Sequence, residues 1–182
     1  MHELLIAKYY PEAIDTSNIK VRCPQYYGTR YWRGGLSRQF NSFDNYLINE
    51  VKKLTGITTG YFTPDETDID TYQVQVCFYR KNSILAPHVD ANTEHSVLVQ
   101  LRGTKKIGFY QLPYDPDNTF ITFRDSKQLE SITMSPGDVI DIDMVKSSKR
   151  KIGHGVPTCK GNSATAILRG WDLTKVLKSR QK

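Results

Sequence analysis

The chain has 182 residues, 38% of them hydrophobic, with 25 Lys and Arg against 19 Asp and Glu for a formal charge of +6. That length suits one domain, 1–182, large enough to bury about two-thirds of its unfolded surface. No apolar run approaches the roughly 18 residues of a membrane span, and Met1-His2-Glu3-Leu4-Leu5-Ile6 lacks the basic region, apolar core and cleavage site of a secretory signal.

The three cysteines, Cys23, Cys77 and Cys159, are odd in number and widely spaced. They read as free thiols in a reducing, cytoplasmic compartment. Cys77, among aromatic and apolar neighbours, is expected in the core. Cys159, five positions after His154, is expected at the surface or beside a site rather than as a soft ligand. An isoelectric point near 9.2 suits a nucleic-acid or ribosomal partner, or an anionic small substrate. Each basic cluster, including 146–151 and the tail 175–182, reads first as solvated surface.

In chain order, 2–10 suits a strand or short helix closed by Pro11. Segment 26–36 interleaves four aromatics and two arginines with glycines and shows no clean period. It is either aromatic packing over a core edge or a substrate lip in which Tyr31 and Arg33 meet a polar or anionic ligand. Segment 42–54 has helical spacing in Phe43, Tyr46, Leu47, Glu50, Val51 and Leu54, with Ser42 as N-cap and Gly56 beyond. It is expected to brace the outside of a sheet. Strands are expected at 71–79, 96–101, 105–110, 120–123, 131–134, 139–142 and 164–171. Arg102-Gly103-Thr104 reads as a tight hairpin and Pro136-Gly137-Asp138 as a turn. The residues after Asp172 look helical. Many short strands separated by turn residues predict an all-β core at roughly 72–171 with flanking helices, as a barrel or double-sheet jelly roll of cupin type.

Within that core lie Pro87-His88-Val89-Asp90 and, further on, Gly153-His154-Gly155. An imidazole and a carboxylate two positions apart share a face if the segment is extended. Two histidines and one carboxylate with open positions beside them are the ligand set of a non-haem Fe(II) oxygenase. Zinc or copper would accept the same trio, and a cupin-type metal-binding protein without oxygenase activity is the alternative. His95 reads as a loop histidine, with a substrate-facing role as the second reading.

In combination these motifs resemble the Fe(II)/2-oxoglutarate-dependent oxygenases, over roughly 72–171. The resemblance implies a double-stranded β-helix with His88, Asp90 and His154 as metal ligands. It implies Fe(II) as cofactor, with 2-oxoglutarate and O2 as co-substrates. The stretch Gln100-x-x-Gly103-x-Lys105 looks like the JmjC-like protein hydroxylases, and Pro136-Gly137-Asp138 matches their turn. By position Lys105 would hold the distal carboxylate of 2-oxoglutarate, helped by a hydroxyl from Tyr72 or Tyr79. Arg169 is the alternative anchor, as in branches that place the cation after the final histidine. The implied activity is hydroxylation of a C–H bond, first on a protein side chain, with nucleic-acid demethylation or small-molecule hydroxylation as alternatives. Lys149 and Arg150, just before His154, are candidate contacts for an anionic substrate or for a nucleic-acid or ribosomal partner.

Overall fold

Antiparallel strand pairing organises the chain. The computed structural model describes residues 2–20, 37–57, 74–90, 93–113 and 122–170, with side chains from Leu4 and, in the first helix, from Tyr46. Tyr31, Arg33, Tyr72, Cys23, Trp171 and the basic tail therefore lie outside the described residues. The elements are β1 (His2–Glu3), β2 (Ala7–Tyr10), α1 (Ser37–Thr55), β3 (Gln75–Tyr79), β4 (Leu85–His88), β5 (His95–Arg102), β6 (Lys105–Gln111), β7 (Lys127–Met134), β8 (Val139–Asp143), α2 (Met144–Arg150), β9 (Ile152–Val156) and β10 (Ser163–Gly170).

They form a six-stranded sheet in the order β1-β2-β8-β5-β10-β3 and a four-stranded sheet in the order β4-β9-β6-β7. Among the described residues no strand pairing joins the two sheets, so of the expected barrel or double-sheet arrangement it is the double sheet that is seen. Leu98, Ile140 and Ile142 of the larger sheet share one core cluster with Ile107, Phe109 and Ile152 of the smaller one. The sheets therefore pack face to face. Each such side chain contributes about 1.5–3 kcal/mol on burial.

Strand β5 is buried along 96–101 because both its faces are covered. Its Leu98 joins the cluster shared with the smaller sheet, while Val97 and Val99 join Leu47 and Val51 of α1 in a second cluster. Alternating exposure is absent where neither face sees water. Helix α1 thus braces the larger sheet from outside, as its spacing suggests. It begins at Ser37, so Ser42 is inside the helix and not its cap. Nothing between Ser37 and Ser42 breaks a helix, since the Gly and Pro residues lie on either side. At the other end the amide of Gly56 donates to the Lys52 carbonyl at 2.8 Å.

The Arg102-Gly103-Thr104 turn is real, but it is not a hairpin. It carries the chain from β5 in one sheet to β6 in the other. Gly103 has φ +65°, and a Cβ there would collide with the Asn162 carbonyl oxygen, so only glycine fits. Gln100 fastens the crossover. Its amide donates to the carbonyls of Arg102 (2.9 Å) and Gly103 (3.0 Å), and its oxygen accepts from Thr165 Oγ1 at 2.8 Å. The Gln-x-x-Gly spacing is thus the frame that launches Lys105.

At the Pro136-Gly137 turn, Asp138 accepts from the Tyr9 hydroxyl (2.7 Å) and the amides of Glu12 and Ser135 (both 2.8 Å). Two further expectations change. Of the expected strand 120–123, residues 120 and 121 lie outside the described residues, Thr122 is in no regular element and Phe123 is in a bend, and β7 starts at Lys127 instead of 131. The basic run 146–151 is mostly helix, with Lys146, Lys149, Arg150 and Lys151 exposed as solvated surface. Asp143 caps it by accepting from the Lys146 amide at 2.8 Å, and Lys151 ends it in the left-handed conformation.

Candidate metal centre

Strand register brings the trio together. His88 is the last residue of β4 and sits opposite His154 on β9, so Asp90 follows just past the strand end. Gly153 and Gly155 flank His154 because β4 crosses closely there. A Cβ on Gly153 would lie 2.9 Å from the His88 carbonyl oxygen, and one on Gly155 would lie 2.7 Å from that of Leu85. Small residues on the outward face let the two histidine strands approach.

One donor atom from each of His88, Asp90 and His154 lies within 4.8 Å of the others. His88 Nε2 is 3.5 Å from Asp90 Oδ1, and His154 Nε2 is 3.8 Å from Asp90 Oδ2. The imidazole centroids are 4.5 Å apart, tilted by 48°. Nδ1–H of His88 donates to the Ala86 carbonyl at 2.9 Å, which leaves Nε2 as its ligand atom. His154 is buried, and its Nδ1 has no hydrogen-bond partner among the described residues.

Two cross-strand neighbours hold the carboxylate. Ser96 on β5 and Arg169 on β10 face one another in register. Ser96 Oγ donates to Asp90 Oδ2 at 2.6 Å, and the Arg169 guanidinium approaches Oδ1 at 3.5 Å. Burial alone would raise the Asp90 pKa. The His88 hydrogen bond, the charges of His154 and Arg169, and Ser96 outweigh it and hold the carboxyl well below the usual range. Burial and the neighbouring His88 push His154 down to about 3, against the pull of Asp90. In His88 burial opposes charging, but the hydrogen bond and charge of Asp90 prevail and its pKa is raised. An ionised carboxylate and a neutral buried imidazole are the forms a divalent metal needs. With His88 Nδ1 engaged by the Ala86 carbonyl, the Nε2 atoms of His88 and His154 both face the Asp90 carboxylate, and this donor set fits such an ion.

From the trio a narrow cleft, open to solvent, runs between the sheets, lined by Tyr79, Leu85, Lys105, Ile107, Val156 and Ile167 among others. Lys105 is 3% exposed, as are Ile107 and Phe109 to within two percentage points, whereas Lys106 is exposed. Alternation along β6 therefore turns Lys105 inward. Its ammonium sits 4.3 Å from the centroid of the Tyr79 ring. Among the described residues no carboxylate reaches it. Desolvation lowers its pKa from 10.5 to about 8, against the thiols of Cys77 and Cys159, which raise it.

The other expected residues divide. Tyr79 lines the cleft, offering its ring to Lys105. Arg169 is engaged with Asp90 and does not line the cleft. Cys77 is in the core, as expected; Cys159 is buried there too, close enough to act on Lys105, and so lies beside the cleft and not at the surface. His95 faces away from the trio, with Nδ1 2.9 Å from Asp141 Oδ1, in a separate cleft with Lys8 and Lys146. Lys149 and Arg150 are exposed on α2. Ser96 escaped the sequence reading; its only signal was a hydroxyl at the start of a buried strand.

No protein-family model matches this chain, and no curated protein matches it. Among solved structures it is similar to an oxidoreductase of the 2OG-Fe(II) oxygenase family from Burkholderia pseudomallei. The identity is 19% and the TM-score 0.41, over 71% of this chain and 56% of that one. It is also similar to vicilin from Corylus avellana (hazelnut), at 12% identity and TM-score 0.37, over 55% of this chain and 24% of that one. The chain thus spans just over half of the first and about a quarter of the second, and neither likeness carries the functional reading. That reading rests on a two-histidine, one-aspartate group at the end of a cleft, suited to Fe(II).

Proposed function

We propose that the chain is an Fe(II)- and 2-oxoglutarate-dependent oxygenase on a double-stranded β-helix scaffold, hydroxylating a C–H bond of a protein side chain. One observation carries the reading. A facial set of ligands stands at one end of a cleft, and a buried lysine without a carboxylate stands inside the same cleft. A buried ammonium without an anion is costly, and a short dicarboxylate reaching from the trio to Lys105 removes that cost.

His88, Asp90 and His154 would hold the metal on one face. Ser96 and Arg169 fix the Asp90 carboxylate, so the ligand does not swing when substrate arrives. Lys105 grips the far carboxylate of the co-substrate, and Ile107, Val156 and Ile167 keep water from the space between. Bound there, Fe(II) with 2-oxoglutarate and O2 supplies the oxidising power, one oxygen atom entering the C–H bond and the other leaving in succinate, with loss of CO2. The protein-substrate assignment leans on the Gln100-x-x-Gly103-x-Lys105 stretch, whose glutamine and glycine deliver the lysine.

The test is succinate release from 2-oxoglutarate by the purified chain in air. The expected result is slow, Fe(II)-dependent turnover without added substrate, absent in His88→Ala. No succinate from the iron-loaded parent, or equal succinate from His88→Ala, refutes the reading.

A further inference from the structure

The exposed chemistry at the metal-bearing end is uneven. His88 and Arg169 keep about a third of their side chains exposed there, 31% and 30%, while Asp90 and His154 are nearly covered. On the reading above, substrate enters on this side. Helix α2 packs at the same end against β5, β8 and β9, burying Met144 and Ser147 and leaving Val145, Lys146, Lys149 and Arg150 exposed. Gln111 fixes the end of α2 by donating to the carbonyls of Arg150 (3.2 Å) and Lys151 (3.0 Å). Gln111 pairs in turn with Lys127, exposed at the start of β7. Cations therefore line the end from β7 through α2 towards Arg169. On and beside α2 the acids are Asp143, 3.5 Å from Lys146, and Glu94, whose carbonyl bonds to Met144, while Asp125 and Glu130 flank Lys127 and Leu129 on the β7 side, so the positive charge is concentrated on α2.

Exposed aliphatic side chains lie among these cations. Val145 is 43% exposed on α2 itself and Leu129 is 46% exposed two residues past Lys127. Leu5, 57% exposed, adjoins Ile6, whose carbonyl accepts from the Asp143 amide at the start of α2. Single-stranded nucleic acid is held by cations together with aromatic platforms. The exposed Tyr46 lies on α1 outside the larger sheet, whereas the exposed side chains on and beside α2 are aliphatic and cationic. Cations mixed with aliphatic groups match a polypeptide carrying both carboxylates and apolar side chains.

We infer that this surface docks an acidic polypeptide segment bearing aliphatic side chains, and that the residue to be oxidised is presented within such a segment. The proposal rests on the oxygenase reading for its orientation towards the metal, but the docking surface is tested separately. Lys149, Arg150 and Lys151 steer the carboxylates, Val145 takes an aliphatic side chain, and salt weakens the contact by screening.

Fluorescence anisotropy on the full chain provides the test. The probes are a labelled short peptide of Glu and Leu, its Gln and Leu counterpart, and a labelled oligothymidylate of equal charge. The Glu peptide should bind most tightly and in a salt-dependent way. Lys149→Gln/Arg150→Gln/Lys151→Gln should weaken it about tenfold or more, and Val145→Asp should weaken it as well. Lys81→Gln/Lys106→Gln/Lys160→Gln removes the same charge from exposed positions at the opposite end and should leave binding within about twofold. Equal losses in the two triple variants overturn the proposal. Tighter oligothymidylate binding that the α2 variant abolishes overturns it in favour of nucleic acid. Substrate-free succinate release is measured on the same proteins and should survive the α2 substitutions. Peptide binding without any succinate release defeats the oxygenase reading alone, and succinate release without α2-dependent peptide binding defeats this one alone.

Discussion

Replacing Lys105 by methionine should make the protein more stable while weakening its hold on 2-oxoglutarate. Desolvation takes the lysine from 10.5 to about 8, and every tenfold change in a protonation equilibrium corresponds to about 1.4 kcal/mol. Keeping Lys105 charged without a bound anion therefore costs about 3 kcal/mol near neutral pH. Methionine removes that cost and fills similar space, but loses the contact with the Tyr79 ring, worth about 1–2 kcal/mol. The net gain is about 1–2 kcal/mol, which for a chain of this size raises Tm by roughly 3–6 °C. A lysine whose folded pKa lies below its unfolded value opposes folding fully below about pH 8. The penalty fades as pH rises towards 10.5, so the advantage of Lys105→Met should shrink over that range. Binding should move the other way, since losing a charged hydrogen-bond partner costs about 2 kcal/mol or more, roughly thirtyfold in Kd. Arg169→Ala, which loosens Asp90 but leaves Lys105 in place, should change 2-oxoglutarate affinity far less. Thermal melts across pH 7–10, with calorimetric titration of 2-oxoglutarate into the metal-loaded protein, measure both. A less stable Lys105→Met that still binds 2-oxoglutarate like the parent, with affinity lost instead in Arg169→Ala, would refute the placement of the co-substrate.

Binding of 2-oxoglutarate to the parent should weaken as pH rises above about 8, because the deprotonated Lys105 must first take up a proton; a flat affinity from pH 7 to 9.5 would contradict this. Gly103→Ala should cost about 2–4 kcal/mol in urea denaturation, because the residue has φ +65° and its new methyl meets the Asn162 carbonyl. Asp138→Ala should cost a similar amount by leaving the Tyr9 hydroxyl and two amides without their acceptor. Burial, then the hydrogen bond and charge of Asp138, raise Tyr9 to about 12, so ultraviolet titration of Asp138→Ala should show a tyrosine moved down towards 10. In the parent, stability owed to Tyr9 is present below pH 10 and is lost as pH rises through about 12.

The parts of the site that the sequence displayed are those set by local geometry. Two-residue alternation turned Lys105 inward with Ile107 and Phe109, and the close spacing of His88 and Asp90 with the glycines beside His154 marked the metal ligands. Features set by distant strands were hidden. Gly103 has the local chemistry of a hairpin turn, and only the pairing of β6 with β7 and β9 makes it a crossover between sheets. Ser96 and Arg169 meet at Asp90 because β5 lies beside β10, a register that neither segment encodes alone. Helix α2 is short and rich in Ser and Lys, so its period is faint. The Asp143 cap and the left-handed Lys151 define it, and both depend on side-chain and backbone partners. The exposed first half of β7 shows no alternation because both of its faces meet water.

Anaerobic Fe(II) titration of the parent and of His88→Ala, Asp90→Ala and His154→Ala, with folding checked by circular dichroism, tests the metal assignment most directly. One tightly bound Fe(II) per parent chain is expected, with stoichiometric binding lost in each folded variant and 2-oxoglutarate binding strengthened only when iron is present. Full-strength iron binding by a folded His88→Ala or Asp90→Ala protein would contradict the account.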